Sequence, residues 1–190
     1  TRVQTIGQKI AVAANQPNYK WEFNLVDDNQ ANAFCLPGGK VVVYTGILKY
    51  AKNDDQLATV ISHEVAHALA RHGAERVTQG MIQQGVGILG SVAVAATAPQ
   101  YQNAFNQAYG LGSNLGVMLP YGRMQESEAD EIGIYLMHKA GYNVNEATKF
   151  WVNMSEGKSG GNDFFSTHPS SQNRTKDIQT VINKIGNKAK

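Results

Sequence analysis

Residues 62–73 read SHEVAHALARHG, which puts His63 and His67 four positions apart and Glu64 directly after the first histidine. A helix advances about 100° per residue, so the two imidazoles stand only about 40° apart, one turn above the other, where both can hold one metal ion. Glu64 lies between them in sequence and about 60° beyond His67 in helical phase. It can reach a metal-bound water without ligating, the placement a general base needs. By chance the pattern arises in roughly 0.5% of chains of this length and composition. The flanking Leu57, Val60, Ile61, Val65, Ala68 and Leu69 have helical spacing, and three polar groups on the inner face of such a helix are costly without a metal. The pattern implies a zinc-dependent metalloprotease.

The third ligand narrows the subclass. A metzincin-type site needs histidine six residues after His67, and Gly73 stands there. His72 is rotated about 140° from the ligand face and reads as a cation favoured at a helix C-terminus. A gluzincin-type site takes a glutamate from a later helix, and the stretch QESEADEIG offers Glu126, Glu128, Asp130 and Glu131. With Ala129, Ile132, Gly133, Leu136 and Ala140 as the inward stripe, Glu126 and Asp130 lie on one edge of it, Glu131 points outward and Glu128 sits on the far flank. Glu126 is the expected ligand, and Asp130 is placed to accept the second ring N–H of a ligand histidine, His63, fixing its tautomer. The alternative is an ordinary solvated acidic helix start.

These residues need a scaffold. The spacing predicts an opening helix on Val3, Ile6 and Ile10, strands over Trp21–Val26, Asn32–Leu36 and Lys40–Tyr44, and a hairpin turn at Pro37-Gly38-Gly39. Asn53-Asp54-Asp55 caps the helix that carries the motif. From Gly80 to Gly122 the composition turns to Gly, Ala, Gln, Asn and Ser, with one helix near Met81–Ala96; the segment reads as a mobile cover. Helices follow over about Gln125–Lys139, from an Asn145 cap through Phe150, Trp151 and Met154, and along Ile178, Val181, Ile182 and Ile185, with a loop at Ser155–Asn162. The expected class is α+β: a mainly helical zincin-type domain with a small antiparallel sheet before the active-site helix.

Composition sets bounds. The 190 residues suit one domain, with 42% hydrophobic and 17% charged content typical of globular chains. A net charge of +2 offers no basic cluster for nucleic acid. The single cysteine, Cys35, reads as a buried, inert thiol. Thr1–Asn15 does not match a signal peptide and there is no initiator Met, so a processed or trimmed chain is expected. The most apolar stretch, Gly85–Ala98, falls short of the roughly 20 residues a membrane span needs, and a buried or flap-like helix is expected there.

With both motifs placed, the chain resembles the family of zinc peptidases that includes the CaaX prenyl protease, HtpX, the Oma-type proteases and the bacterial periplasmic proteases BepA and LoiP. The family's H-E-x-x-H falls on His63, Glu64 and His67, and its E-x-x-x-D on Glu126 and Asp130. NAFCLPGGKVVVYTGIL is similar to its strand and hairpin, and FSTHPSSQNR to its late Thr-His-Pro segment. The chain departs from the integral-membrane members in lacking evident spans and from BepA in ending before any tetratricopeptide repeats. The resemblance implies one zinc ion, a soluble or lipid-anchored periplasmic form, and degradation of unfolded or misassembled envelope proteins, in association with membranes or outer-membrane assembly machinery.

Further residues follow. His168 and Arg174 are candidates to stabilise the oxyanion of peptide hydrolysis; His168 could instead complete a closed, latent metal site. The bland readings are a loop-ending histidine and a solvated arginine. His138 reads as a surface residue. An extended substrate would dock along Asn32, Ala33 and Phe34 if that strand is an open edge. The rival functions are a catalytically silent zinc-bearing chaperone or assembly factor and a structural zinc module.

Overall fold

A computed structural model describes residues 1–36, 38–113, 119–157, 164–169 and 173–188. Pro37 of the expected turn, residues 114–118 of the expected cover, 158–162 of the expected loop and 170–172 of the Thr-His-Pro segment lie outside the described residues. The chain opens with α1 (Arg2–Ala14), then β1 (Glu22–Val26), β2 (Ala33–Leu36) and β3 (Lys40–Tyr44). The long central helix α2 (Asp54–Leu69) is followed by α3 (His72–Thr97), α4 (Gln102–Ser113), α5 (Leu119–Lys139), α6 (Asn145–Glu156), the short α7 (Phe164–Thr167) and α8 (Arg174–Lys188). The mainly helical α+β class holds.

The sheet corrects one expectation. Strands β2 and β3 form the antiparallel hairpin, but β1 pairs parallel to β3, giving the order β1-β3-β2 and a mixed sheet. The connection over 27–32 carries the chain across the sheet end, held where Asp28 N–H donates to Thr45 Oγ1 (3.0 Å) and Gly46 N–H to the Asp28 carbonyl (2.8 Å). This arrangement centres the three consecutive valines of β3. Val41 and Val43 lie opposite Phe23 and Ala33 on one fully buried face, the alternation a one-sided sheet requires.

Helix α2 runs through the middle of the molecule, buried at every position from Gln56 to His67. Its N-terminus is anchored as expected: Asn53 Oδ1 accepts from Gln56 N–H at 2.8 Å, and Asp54 and Asp55 occupy the first turn. Asn53 and Gln56 side chains both donate to Glu146 Oε2 on α6, at 3.0 and 2.8 Å. The expected Asn145 cap of α6 is not formed. Val144 occupies the cap position, and Asn143 Oδ1 instead accepts from Asn145 N–H at 3.1 Å.

Along α2 lies α5, and Gly133 lets the two helices close. A Cβ there would fall 3.3 Å from the His63 backbone nitrogen. The face of α5 toward α2 runs through Glu126, Asp130, Gly133, Ile134 and Met137, so the two acidic residues sit within the inward stripe rather than on its edge.

Helices α3 and α4 form a hairpin apart from the rest. Among the described residues, the hydrophobic core has no member between 73 and 113. The helix expected near Met81–Ala96 is 26 residues long and largely exposed rather than buried, and by length and composition alone it could cross a membrane.

Candidate metal centre

Four buried side chains from three parts of the chain converge at the C-terminal half of α2. One ligand atom from each of His63, His67, Glu126 and His168 lies within 4.8 Å of the others. His63 Nε2 and His67 Nε2 are 3.1 Å apart. Glu126 bridges them, Oε2 at 3.1 Å from the first and Oε1 at 3.2 Å from the second. Zinc with ligand bonds of about 2.0–2.1 Å in a tetrahedron spaces its ligand atoms about 3.3 Å apart, so the donor triangle matches the ion.

Charge supports the fit. Glu64, Glu126 and Asp130 are all buried, and among the described residues Arg174, which faces Asp130 and Glu126, is the one buried arginine or lysine. Burial opposes ionisation of each, yet neighbours keep all three carboxyls below their usual range: His168 for Glu64, His63 for Glu126, and Arg174 for Asp130. Arg174 and a protonated His63 leave the three carboxylates one charge short of balance, with the half-exposed Arg76 at the rim, its Nη2 donating to Glu126 Oε1 at 3.0 Å. A divalent cation would offset them. Desolvation lowers His67 to about 4, keeping it unprotonated, whereas for His63 the Asp130 and Glu126 contacts outweigh burial and raise it to about 9. The pocket thus draws positive charge to His63.

Behind the cluster, Asp130 Oδ1 stands 3.0 Å from His63 Nδ1 and accepts from Arg174 Nη2 at 2.7 Å. The guanidinium lies 3.4 Å over the Trp151 ring centroid. Arg174 is therefore placed to hold Asp130 and lies behind the imidazole, away from the oxyanion position expected of it. His168 stacks on Phe164 with ring centroids 4.1 Å apart, and its Nε2 lies 3.3 Å from Glu64 Oε1 without the alignment of a hydrogen bond. His168 sits at the centre and is not a loop-ending residue.

His72 overturns its assignment. Helix α2 stops at Leu69, Arg71 takes a left-handed conformation with φ 59°, and His72 begins α3. The break swings it inward to 1% exposure, with Nδ1 2.8 Å from His67 Nδ1 and Nε2 3.2 Å from Glu128 Oε2. No glycine or proline stands at the break itself, Ala70–Arg71, and the five-residue spacing after His67 pointed His72 away from the site. Glu131 and His138 are exposed, as their helical phase predicts.

Asn32 precedes β2 and Ala33 and Phe34 begin it, and β2 occupies an edge of the sheet. Between β2 and α3 lies a cleft of about 640 Å³, lined by Tyr19, Cys35, Leu36, His67, Val77 and Met81 among others. Cys35 borders it, but burial, reinforced by Glu64, pushes its thiol to about 12, so it stays protonated and is no nucleophile.

The sequence profile described as "Peptidase family M48" matches residues 1–182. The mitochondrial metalloendopeptidase OMA1 of Schizosaccharomyces pombe is 37% identical over 180 residues, covering 93% of this chain and 51% of that protein. The Arabidopsis thaliana protein of the same name is 40% identical over 169 residues, 87% of this chain and 32% of the relative. The beta-barrel assembly-enhancing protease of Escherichia coli is 28% identical over 189 residues, 96% and 39% respectively. The chain thus spans about half or less of the length of these relatives.

Proposed function

The chain belongs to peptidase family M48, and we propose that it is a zinc-dependent endopeptidase of the gluzincin type, with His63, His67 and Glu126 as ligands and Glu64 as general base. The observation that carries this reading is the buried His63–His67–Glu126 triangle with Glu64 beside it. Bound there, zinc would supply Lewis acidity toward a scissile carbonyl and acidify a water.

The chain's own residues account for the rest. Glu64, held ionised, takes the proton of the attacking water and delivers it to the leaving amine. Asp130 accepts the Nδ1–H of His63, directing Nε2 to the metal, and Arg174 keeps Asp130 ionised and oriented. Across the site, His168 Nε2–H is the donor for the developing oxyanion. An extended chain enters beside Asn32, Ala33 and Phe34 with its side chains in the cleft toward α3. Unfolded or misassembled proteins present such segments, and envelope quality control follows from the likeness to proteases named for β-barrel assembly. The same likeness supports a bacterial periplasmic location; relatives named as mitochondrial support an alternative membrane-bounded compartment.

A second reading has one observation in its favour: His168 lies within the four-ligand group, where it would complete a closed coordination shell and hold the enzyme latent. A silent zinc-bearing chaperone using the same cleft is the rival of another class. Cleavage of an unfolded protein by native chain and by Glu64→Gln, with zinc measured in both by elemental analysis, separates them. Cleavage by the native chain alone supports the peptidase. Zinc in both with no cleavage, relieved by His168→Ala, supports latency; if unrelieved, it supports the chaperone. Absence of zinc from the native chain sinks all of these readings.

A further inference from the structure

Between Arg76 and Arg123 the sequence contains no charged residue and no histidine. Within this run α3 and α4 pack as a hairpin whose polarity is reversed. Glycines set the approach: a Cβ at Gly87 would fall 2.8 Å from the Tyr109 ring and one at Gly90 2.5 Å from Phe105. The seam holds Ser91, Gln102 and Tyr109, whereas Gln84, Asn103 and Gln107 are exposed. Gln102 donates to Ser91 and to Asn106, and Tyr109 hydroxyl donates to the Gln83 carbonyl at 2.7 Å. The opposite face of α3 exposes Met81 (67%), Ile82 (55%), Val86 (52%) and Leu89 (73%). A hairpin selected for water would bury these four.

We propose that the α3–α4 hairpin inserts into a lipid bilayer. An apolar solvent explains the outward aliphatic face and the missing charge together. A second copy of the chain would explain the first alone, since apolar protein interfaces keep charged rims, whereas the exposed Asn103 and Gln107 of α4 are neutral too. Backbone groups in hydrocarbon must be paired, and at the tip Ala98 N–H donates to the Val94 carbonyl at 2.8 Å and Tyr101 N–H to the Ala98 carbonyl at 3.0 Å, around Pro99, which has no N–H. With 12 residues, α4 reaches about 18 Å, less than the roughly 30 Å hydrocarbon layer. The hairpin therefore enters and returns on one side. Exposed Arg71 and Arg123 stand at its base, where anionic headgroups would lie, and His72 at the foot of α3 ties the membrane surface to the metal centre.

The test is flotation of the full zinc-loaded chain with phosphatidylcholine vesicles and with phosphatidylcholine–phosphatidylglycerol vesicles. The native chain should float with both, more with the anionic mixture, and Leu89→Trp should show blue-shifted emission on mixing. Val86→Glu/Leu89→Glu should lower the bound fraction at least about tenfold, with zinc content and lipid-free peptide cleavage unchanged. No flotation of the native chain, or flotation undiminished in the double variant, would overturn the proposal. So would a concentration-dependent dimer, abolished by the double variant, in a chain that does not float; the face would then belong to a second copy.

Discussion

Around His67 the order of hydrogen bonds decides what His72 contributes. A histidine that binds a cation through Nε2 carries its proton on Nδ1, so His72 Nδ1, 2.8 Å away, is the acceptor and His72 Nε2–H is directed to Glu128. His72→Phe should therefore weaken zinc binding about 10–100-fold in a chelator competition. His72→Asn, whose amide oxygen can occupy the place of Nδ1, should recover most of it. Equal losses in the two variants would reduce His72 to a packing residue. On the other flank, Arg174→Met removes the partner of buried Asp130 and should cost about 3–5 kcal/mol in urea unfolding; a cost below about 1 kcal/mol would show that Asp130 finds another partner. Local spacing made His63, Glu64, His67, Glu126 and Asp130 readable, because each pair lies within one or two turns of a single helix. It could not reveal His72, whose position depends on Arg71 adopting a left-handed φ, or that Arg174 faces Asp130 across 44 residues.

Between elements, the contacts of α2 with α5 and α6 hold the ligands in register. Gly133→Ala places a methyl 3.3 Å from the His63 backbone; it should destabilise by about 1–3 kcal/mol and weaken zinc binding in the same variant. Loss of stability with metal affinity intact would show that α2 keeps its ligand geometry when α5 is displaced. At the other end of α2, bonds from Lys149, then Asn53 and Gln56, lower the Glu146 carboxyl from 4.5 to about 2. A folded value below the unfolded one gives stability that is complete above pH 4.5 and lost as pH falls through 2. Glu146→Gln should thus be roughly 1–3 kcal/mol less stable at neutral pH, the gap closing in acid; a gap independent of pH would refute the carboxylate's role. Asn53 announced its cap because Asx side chains favour that position, while Asn145 misled because Asn143 offered its own side chain to the same backbone. The parallel pairing of β1 with β3 was hidden as well. Alternation marks a strand and its buried face, but strand order follows from which neighbours best cover Val41 and Val43.

At the scale of the molecule, a packed core around α2 carries a hairpin that contributes nothing to it. The run from Gly80 to Gly122 reads as a mobile cover with one helix near Met81–Ala96; that helix extends over His72–Thr97, its glycines placed where α4, hidden by weak periodicity after Pro99, closes on it. That division is testable. Replacing residues 82–110 with a short Gly-Ser linker leaves His72, Arg76 and the cleft residues Val77 and Met81 in place. Since no core member between 73 and 113 is lost among the described residues, the shortened chain should keep its zinc and unfold within about 1 kcal/mol of the native stability. It should also lose vesicle flotation. Turnover of a soluble unfolded protein then reports on the hairpin as a cover: a change with zinc retained supports that role, and no change confines the hairpin to the membrane. Failure of the shortened chain to fold would show that α3 and α4 stabilise the metal centre from outside the core.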